Sequence, residues 1–283
     1  MRVHHLNCGT MRPLGGRLLD GRPGLHRRAE MVCHCLLLET DDGLVLVETG
    51  VGTPASTRPN EWLGKAFRLL TNPVIEYAES AVEQVSGLGF APEDVRHVVL
   101  THLDLDHAGG LVDFPDAVVH VYETELRAMR EPRDRSERLR YRRAQFAHRP
   151  MFRPYPADGE LWFGFEAVRE LDGLGPEILI VPLAGHTRGH AGVAVDTGDG
   201  WLLNAGDSYF FHGQLDADAP HCPPGLALFE SLVQTERRSR LDNQERLREL
   251  VGGHGSEVTV FCAHDPVEFH RLAEAAGAPP VSG

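Results

Sequence analysis

The segment Thr101-His102-Leu103-Asp104-Leu105-Asp106-His107-Ala108-Gly109-Gly110 places His102, Asp104, Asp106 and His107 within six residues, directly after the apolar run Val98-Val99-Leu100. Imidazoles and carboxylates are the groups through which proteins hold zinc, iron and manganese. Four of them can aim at one point only if the chain leaves a buried strand and turns at once into a tightly held loop. The chain is therefore constrained to a β-rich core that delivers this loop at a strand end.

Three later stretches have the same form. Ala184-Gly185-His186-Thr187-Arg188-Gly189-His190 follows the apolar run 178–182, Asn204-Ala205-Gly206-Asp207-Ser208 closes the run that starts at 201, and Cys262-Ala263-His264-Asp265 closes the run that starts at 258. Taken singly, a histidine after glycine reads as a surface or core histidine, and a Gly-Asp pair reads as a turn. Four such stretches in succession, each at the end of an apolar run, are what carries the resemblance that follows.

Their order resembles the metallo-β-lactamase fold superfamily, whose signature His-x-His-x-Asp-His is matched from His102 to His107, except that Asp104 stands where the middle histidine is expected. The resemblance implies an α/β fold, an αββα sandwich of two mixed β-sheets flanked by helices, in one domain over 1–283. It also implies two divalent metal ions, zinc being the most common in the family. His102, Asp104 and His186 would hold one ion, Asp106, His107 and His264 the other, and Asp207 would bridge them. Glu48, in Glu48-Thr49-Gly50, takes the place of a family aspartate that orients ligands, and His190 supports the site without touching metal. The activity implied is hydrolysis: a bridging hydroxide attacks the carbonyl of a lactone or small ester. The leaving group needs a proton donor, for which Asp106 and Tyr209 are the candidates, although Tyr209 reads equally as packing beside Phe210 and Phe211. The context 87–95 and the ending Asp106-His107-Ala108-Gly109-Gly110 are most similar to N-acyl homoserine lactone hydrolases.

Asp104 keeps the reach of the histidine it replaces, because its carboxylate oxygen lies as many bonds from Cα as the nearer ring nitrogen. It changes the charge: Asp104, Asp106 and Asp207 balance two divalent ions and one hydroxide to about zero, which weakens the ions as Lewis acids. A hard oxygen donor also moves preference from zinc toward iron or manganese. The alternative reading is an iron-dependent redox enzyme of the flavodiiron or sulfur-dioxygenase type. A flavin domain is not expected within these 283 residues, which counts against the flavodiiron version.

The net charge of −13 opposes nucleic-acid binding. Against that trend, residues 127–153 carry ten arginines and three acids. Residues 123–156 are expected to form a helical cover, either a solvated face or a surface drawing an anionic or acylated small-molecule substrate. Five scattered cysteines suit a reducing cytosol, and no apolar run is long enough for a membrane span or secretory signal, so a cytoplasmic location is expected. Alternation sends Cys33 and Cys35 to one side of a strand and His34 to the other, which reads as plain strand packing. Strands are expected at 3–7, 32–38, 44–47, 96–100, 117–121, 178–182, 192–196, 201–205 and 258–262. Helices are expected at 61–70, 74–86, 123–147, 226–234, 244–250 and 267–276. Prolines at 150, 154 and 156 predict a loop between the two halves.

Overall fold

The computed structural model describes residues 1–277 other than 157, so the expected domain of 1–283 runs partly outside the described residues. The N-terminal half forms β1 (Arg2–Met11), β2 (Met31–Thr40), β3 (Gly43–Val47), β4 (Pro73–Val74), β5 (Val95–Val99), β6 (Val118–Tyr122) and β7 (Met151–Tyr155). They make a seven-stranded sheet in the order β4-β1-β2-β3-β5-β6-β7, antiparallel from β4 to β3 and parallel from β3 to β7. The second half contributes β8 (Glu160–Trp162), β9 (Phe165–Glu170), β10 (Ile178–Pro182), β11 (Ala191–Asp196), β12 (Trp201–Asn204) and β13 (Val258–Phe261). These form a six-stranded sheet, β13-β12-β11-β10-β9-β8, in which only β12 and β13 pair in parallel.

Alternation along the strands sorts side chains into layers. Leu36 and Leu38 of β2 meet Ile178, Ile180, Val193, Val195 and Phe261 between the sheets. Cys35 and Leu37 face the other way, onto Ala81, Val85 and Leu126 of helices outside the first sheet. Leu179, Val181, Leu203 and Val260 likewise pack outward against Leu247 and Leu250 of the helix Arg237–His254. Burying each such leucine or valine contributes about 1.5–3 kcal/mol, and the two outer layers together cover both free sheet faces. The result is the expected αββα sandwich of mixed sheets. Among the described residues, no helix is long and apolar enough to cross a membrane.

Several boundaries differ from expectation for identifiable reasons. The segment 61–70 divides into helices Pro59–Trp62 and Lys65–Thr71, because Gly64 between them adopts φ 80°. The helix expected at 74–86 begins at Ala81, since Pro73–Val74 pairs with β1 instead. Pro132 splits the Arg-rich segment into Glu123–Arg130 and Arg135–Arg140. The proline stretch is a strand rather than a loop: β7 lies at the sheet edge, where Pro154 opposite Val121 needs no donor on its outer side. β8 and β9 had no counterpart in the expected elements.

Candidate metal centre

The loops that carry the expected ligands all leave one end of the sandwich. β5 runs into His102–His107, the β10–β11 connection carries His186 and His190, β12 leads to Asp207, and β13 leads to His264. Backbone hydrogen bonds tie them together beyond the strands: Ala191 N–H donates to Thr101 O at 2.9 Å, and Ala263 N–H donates to Gly206 O at 3.1 Å. Gly206 has φ 52°, and a Cβ there would lie 2.6 Å from His190 Nε2 and 2.9 Å from Thr101 Oγ1. That close approach places the next residue, Asp207, at the centre of the cluster.

The two carboxylate oxygens of Asp207 face different histidine pairs. Oδ1 lies 3.3 Å from His107 Nε2 and 3.2 Å from His264 Nε2, while Oδ2 lies 3.3 Å from His186 Nε2 and 3.8 Å from His102 Nε2. Asp104 joins the second pair, its Oδ2 being 3.4 Å from His102 Nε2 and 3.0 Å from His186 Nε2. Asp106 Oδ2 is 3.8 Å from His264 Nε2. Ligand atoms about 2.0–2.1 Å from a tetrahedral ion are spaced by roughly 3.4 Å, so these separations match those around a metal ion. The hydrogen-bonding state supports the same fit. His102 Nε2, His107 Nε2 and Asp207 Oδ1 are buried and have no hydrogen-bond partner among the described residues, a costly arrangement unless a cation meets them.

Three of the four outer nitrogens are anchored so that the inner ones stay aimed, while His186 Nδ1 is buried without a hydrogen-bond partner among the described residues. His107 Nδ1 contacts Glu48 Oε2 at 2.5 Å, His264 Nδ1 contacts Val32 O at 2.7 Å, and His102 Nδ1 contacts Thr101 Oγ1 at 2.9 Å. Glu48 reaches both His107 and the Thr101 N–H, at 2.6 Å, from a left-handed backbone with φ 65°. A non-glycine residue pays of order 1 kcal/mol for that conformation, which persists here because both carboxylate oxygens are engaged. His190 bonds Leu183 O through Nδ1 and accepts the Asp207 N–H at Nε2, 2.9 Å away. It orients Asp207 and its own inner nitrogen is occupied.

Electrostatics without metal follow from this packing. Burial pulls His107 and His264 down, but Asp207, helped by Glu48 at His107, outweighs it and holds both well above the ordinary histidine range. Burial pushes Asp207 up, and His264, His107 and His186 together hold it well below the carboxylate range instead. Protons on His107 and His264 thus balance Asp207 where a cation would, and a metal must displace them to bind. Burial, with His186 adding to it, pushes His190 down to about 3, consistent with an uncharged supporting role.

Tyr209 is placed elsewhere. It is fully buried, and its hydroxyl donates to Glu268 at 2.9 Å in the helix Pro266–Ala275. It packs beneath the second sheet with Leu203, Leu215 and Leu247, in a different cluster from Phe210 and Phe211, beside which it was expected. Cys33 departs from the expectation of plain packing. Its alternation with His34 holds, yet its Sγ and ligand atoms of Asp106 and His264 all lie within 4.8 Å of one another. Strand periodicity gives the face of a residue; it carries no information on which loop covers that face. Burial pushes the thiol up to about 12, so it stays protonated without metal.

Glu125 is a supporting residue that no sequence motif marks. Fully buried at the start of helix Glu123–Arg130, it accepts from Leu103 N–H at 2.9 Å, Thr187 Oγ1 at 2.6 Å and Tyr141 OH at 3.2 Å. It thereby joins the His102 loop, the His186 loop and the Arg-rich segment. Gly189 is required beside it, since a Cβ there would lie 2.0 Å from Glu125 N. Several arginines of that segment are paired: Arg127 with Glu123, Arg153 with Asp172, and Arg142 with the Glu61 carbonyl.

The profile of the Metallo-beta-lactamase superfamily matches residues 28–264. A probable metallo-hydrolase of Mycobacterium tuberculosis is 44% identical over 273 residues, covering 96% of this chain and 83% of its own. An N-acyl homoserine lactonase of Bacillus thuringiensis is 34% identical over 96 residues, 33% of this chain and 38% of its own. The solved structure of an N-acyl homoserine lactone hydrolase with the product N-hexanoyl-L-homoserine bound at the catalytic metal center covers 94% of both chains, with TM-score 0.68 and 20% identity, a likeness of fold.

Proposed function

The chain belongs to the metallo-beta-lactamase superfamily, and from that premise we propose that it is a metal-dependent hydrolase that opens a lactone or cleaves a related small ester. The observation that carries this reading is Asp207, each of whose oxygens faces a separate pair of buried histidine nitrogens at 3.2–3.8 Å. His102, Asp104 and His186 would hold one divalent ion and Asp106, His107 and His264 the other, with Asp207 shared. When bound, the two ions would acidify a water between them to a bridging hydroxide and polarise the ester carbonyl. The extra oxygen donor at Asp104 favours iron or manganese more than a histidine would. The related proteins named above are hydrolases and lactonases, and the redox alternative has no support from them.

This chain's own residues supply orientation, exclusion of water and proton transfer. Glu48 and Val32 O keep the inner nitrogens of His107 and His264 aimed at Asp207. Asp106, after releasing its share of the metal, is the candidate to carry a proton to the leaving group; its Oδ2 lies 3.8 Å from His264 Nε2. An apolar wall of Met31, Phe210, Phe211 and Leu226 stands beside His264, with the Phe210 ring stacked on the imidazole at 5.2 Å between centroids. The test is proton release from a panel of lactones and esters by protein loaded with zinc, manganese or ferrous iron. Loss of that release after chelation and its return with metal are expected, and equal rates with and without metal would reject the reading.

Glu48→Gln keeps the size of the side chain and removes the charge from His107. We expect metal affinity to fall about 10–100-fold, the usual cost of losing a partner that orients a ligand. Competition with a coloured chelator measures it, and unchanged affinity would mean that Glu48 only fills the turn.

A further inference from the structure

Arg140 is the last residue of the helix Arg135–Arg140, and it leaves the rest of the Arg-rich segment to reach the ligand cluster. Its Nε lies 3.4 Å from Asp104 Oδ1. Nη1 donates to His186 O at 2.9 Å, and Nη2 donates to Val233 O. The side chain is only 14% exposed, and protein groups take up its donors. Arg140 is thus unsuited to gathering anionic substrate from solution, the role considered for the segment as a whole.

The two oxygens of Asp104 are divided between neighbours. Oδ1 faces the guanidinium, while Oδ2 faces His102 Nε2 and His186 Nε2 at 3.4 and 3.0 Å. Asp104 adds a negative charge where the family signature has a neutral imidazole, and Arg140 returns a positive charge to the same place. We propose that Arg140 is the counter-charge of Asp104, and that the pair together replaces the neutral histidine between His102 and Asp106. This rests on the metal-binding reading above. Three carboxylates, two divalent ions and one hydroxide sum to zero, and with Arg140 the loaded site regains the single positive charge of the histidine form. Arg140 is a positioning residue: its Nε faces Oδ1 as an ion pair at 3.4 Å without a hydrogen bond to that oxygen, its Nη2 lies 3.4 Å from His186 Nε2, and Oδ2 is left for the ion.

The four charge states of the pair give the test. Wild type, Arg140→Met, Asp104→His and the double variant Asp104→His/Arg140→Met are each titrated with Zn(II) and with Mn(II) against a chelator. Bound metal is counted by mass spectrometry and folding is checked by circular dichroism. Removing the guanidinium alone leaves an uncompensated carboxylate, so Arg140→Met is expected to bind the weaker ion about tenfold more tightly, the scale of a full charge within several ångströms of a divalent ion. Asp104→His alone strands the guanidinium beside the ion and is expected to bind about tenfold more weakly. The double variant and Arg140→Lys should both lie close to wild type. A role confined to bracing His186 O and Val233 O predicts the reverse, with Arg140→Met weaker than wild type and the double variant weakest. That order would overturn the proposal while leaving the metal centre intact. A wild-type protein that takes up neither ion would overturn the metal reading and the proposal with it.

Discussion

Asp207→Ala is expected to empty both metal positions at once and to lower hydrolysis by about 10³-fold or more, roughly 4 kcal/mol at 1.36 kcal/mol per tenfold. The size follows from geometry. Oδ1 is the near neighbour of His107 and His264, and Oδ2 is that of His186, with His102 slightly further away. No other carboxylate among the described residues approaches both pairs so closely. Truncating it therefore removes the anion common to both ions and leaves each with two histidines and one carboxylate, Asp104 or Asp106. The backbone N–H of residue 207, which His190 accepts, survives the change, so the loop has no reason to unfold. His186→Ala is the comparison: it strips one pocket, and the His107–His264 pocket should keep its ion. Metal content per chain separates the cases, and an Asp207→Ala protein that still carries two ions would eliminate the bridging role. Asp207→Asn tests charge apart from shape, and should behave like alanine in metal content while keeping the circular dichroism spectrum of the folded chain.

The parts of the candidate site that were legible in the sequence are those where a candidate ligand closely follows an apolar run. His102, Asp104, His107, His186, Asp207 and His264 stand at strand ends, and the same apolar runs that built the sandwich placed them at one end of it. Glu48 and His190 were also marked, because each lies within a short motif with a turn after a strand. Cys33, Arg140 and Glu125 were not, for a common physical reason. Their roles depend on what packs against them from remote elements, and neither alternation nor helical period encodes that. Strand β7 was obscured in another way: prolines read as a loop until the edge position, which asks for pairing on one side only, is known. Tyr209 was close in sequence to Asp207, but the turn after β12 carries it beneath the sheet to Glu268. Proximity along the chain at a sharp turn says little about direction.

Glu125 is where fold and site depend on one side chain, and Glu125→Ala should reveal that dependence in two measurements. The carboxylate serves the Leu103 N–H, the Thr187 hydroxyl and the Tyr141 hydroxyl in a fully buried place. Alanine would strand at least two of these donors without water to replace the lost acceptor, at about 1–3 kcal/mol each. The sum, about 3 kcal/mol or more, corresponds to a melting point lower by roughly 6–12 °C at about 2–4 °C per kcal/mol for a chain of this size. Leu103 is adjacent to His102 and Thr187 to His186, so relaxation of either loop moves a ligand. Metal affinity is therefore expected to fall about 10–100-fold even in the fraction that stays folded. Glu125→Gln separates the contributions, because its carbonyl oxygen can still accept one donor and the melting point should fall by less than half as much. If Glu125→Ala melted with the wild type and kept its metal, the His102 and His186 loops would have to be held by the backbone ties from Ala191 to Thr101 and from Ala263 to Gly206 alone, and the helix Glu123–Arg130 would be a cover with no part in shaping the centre.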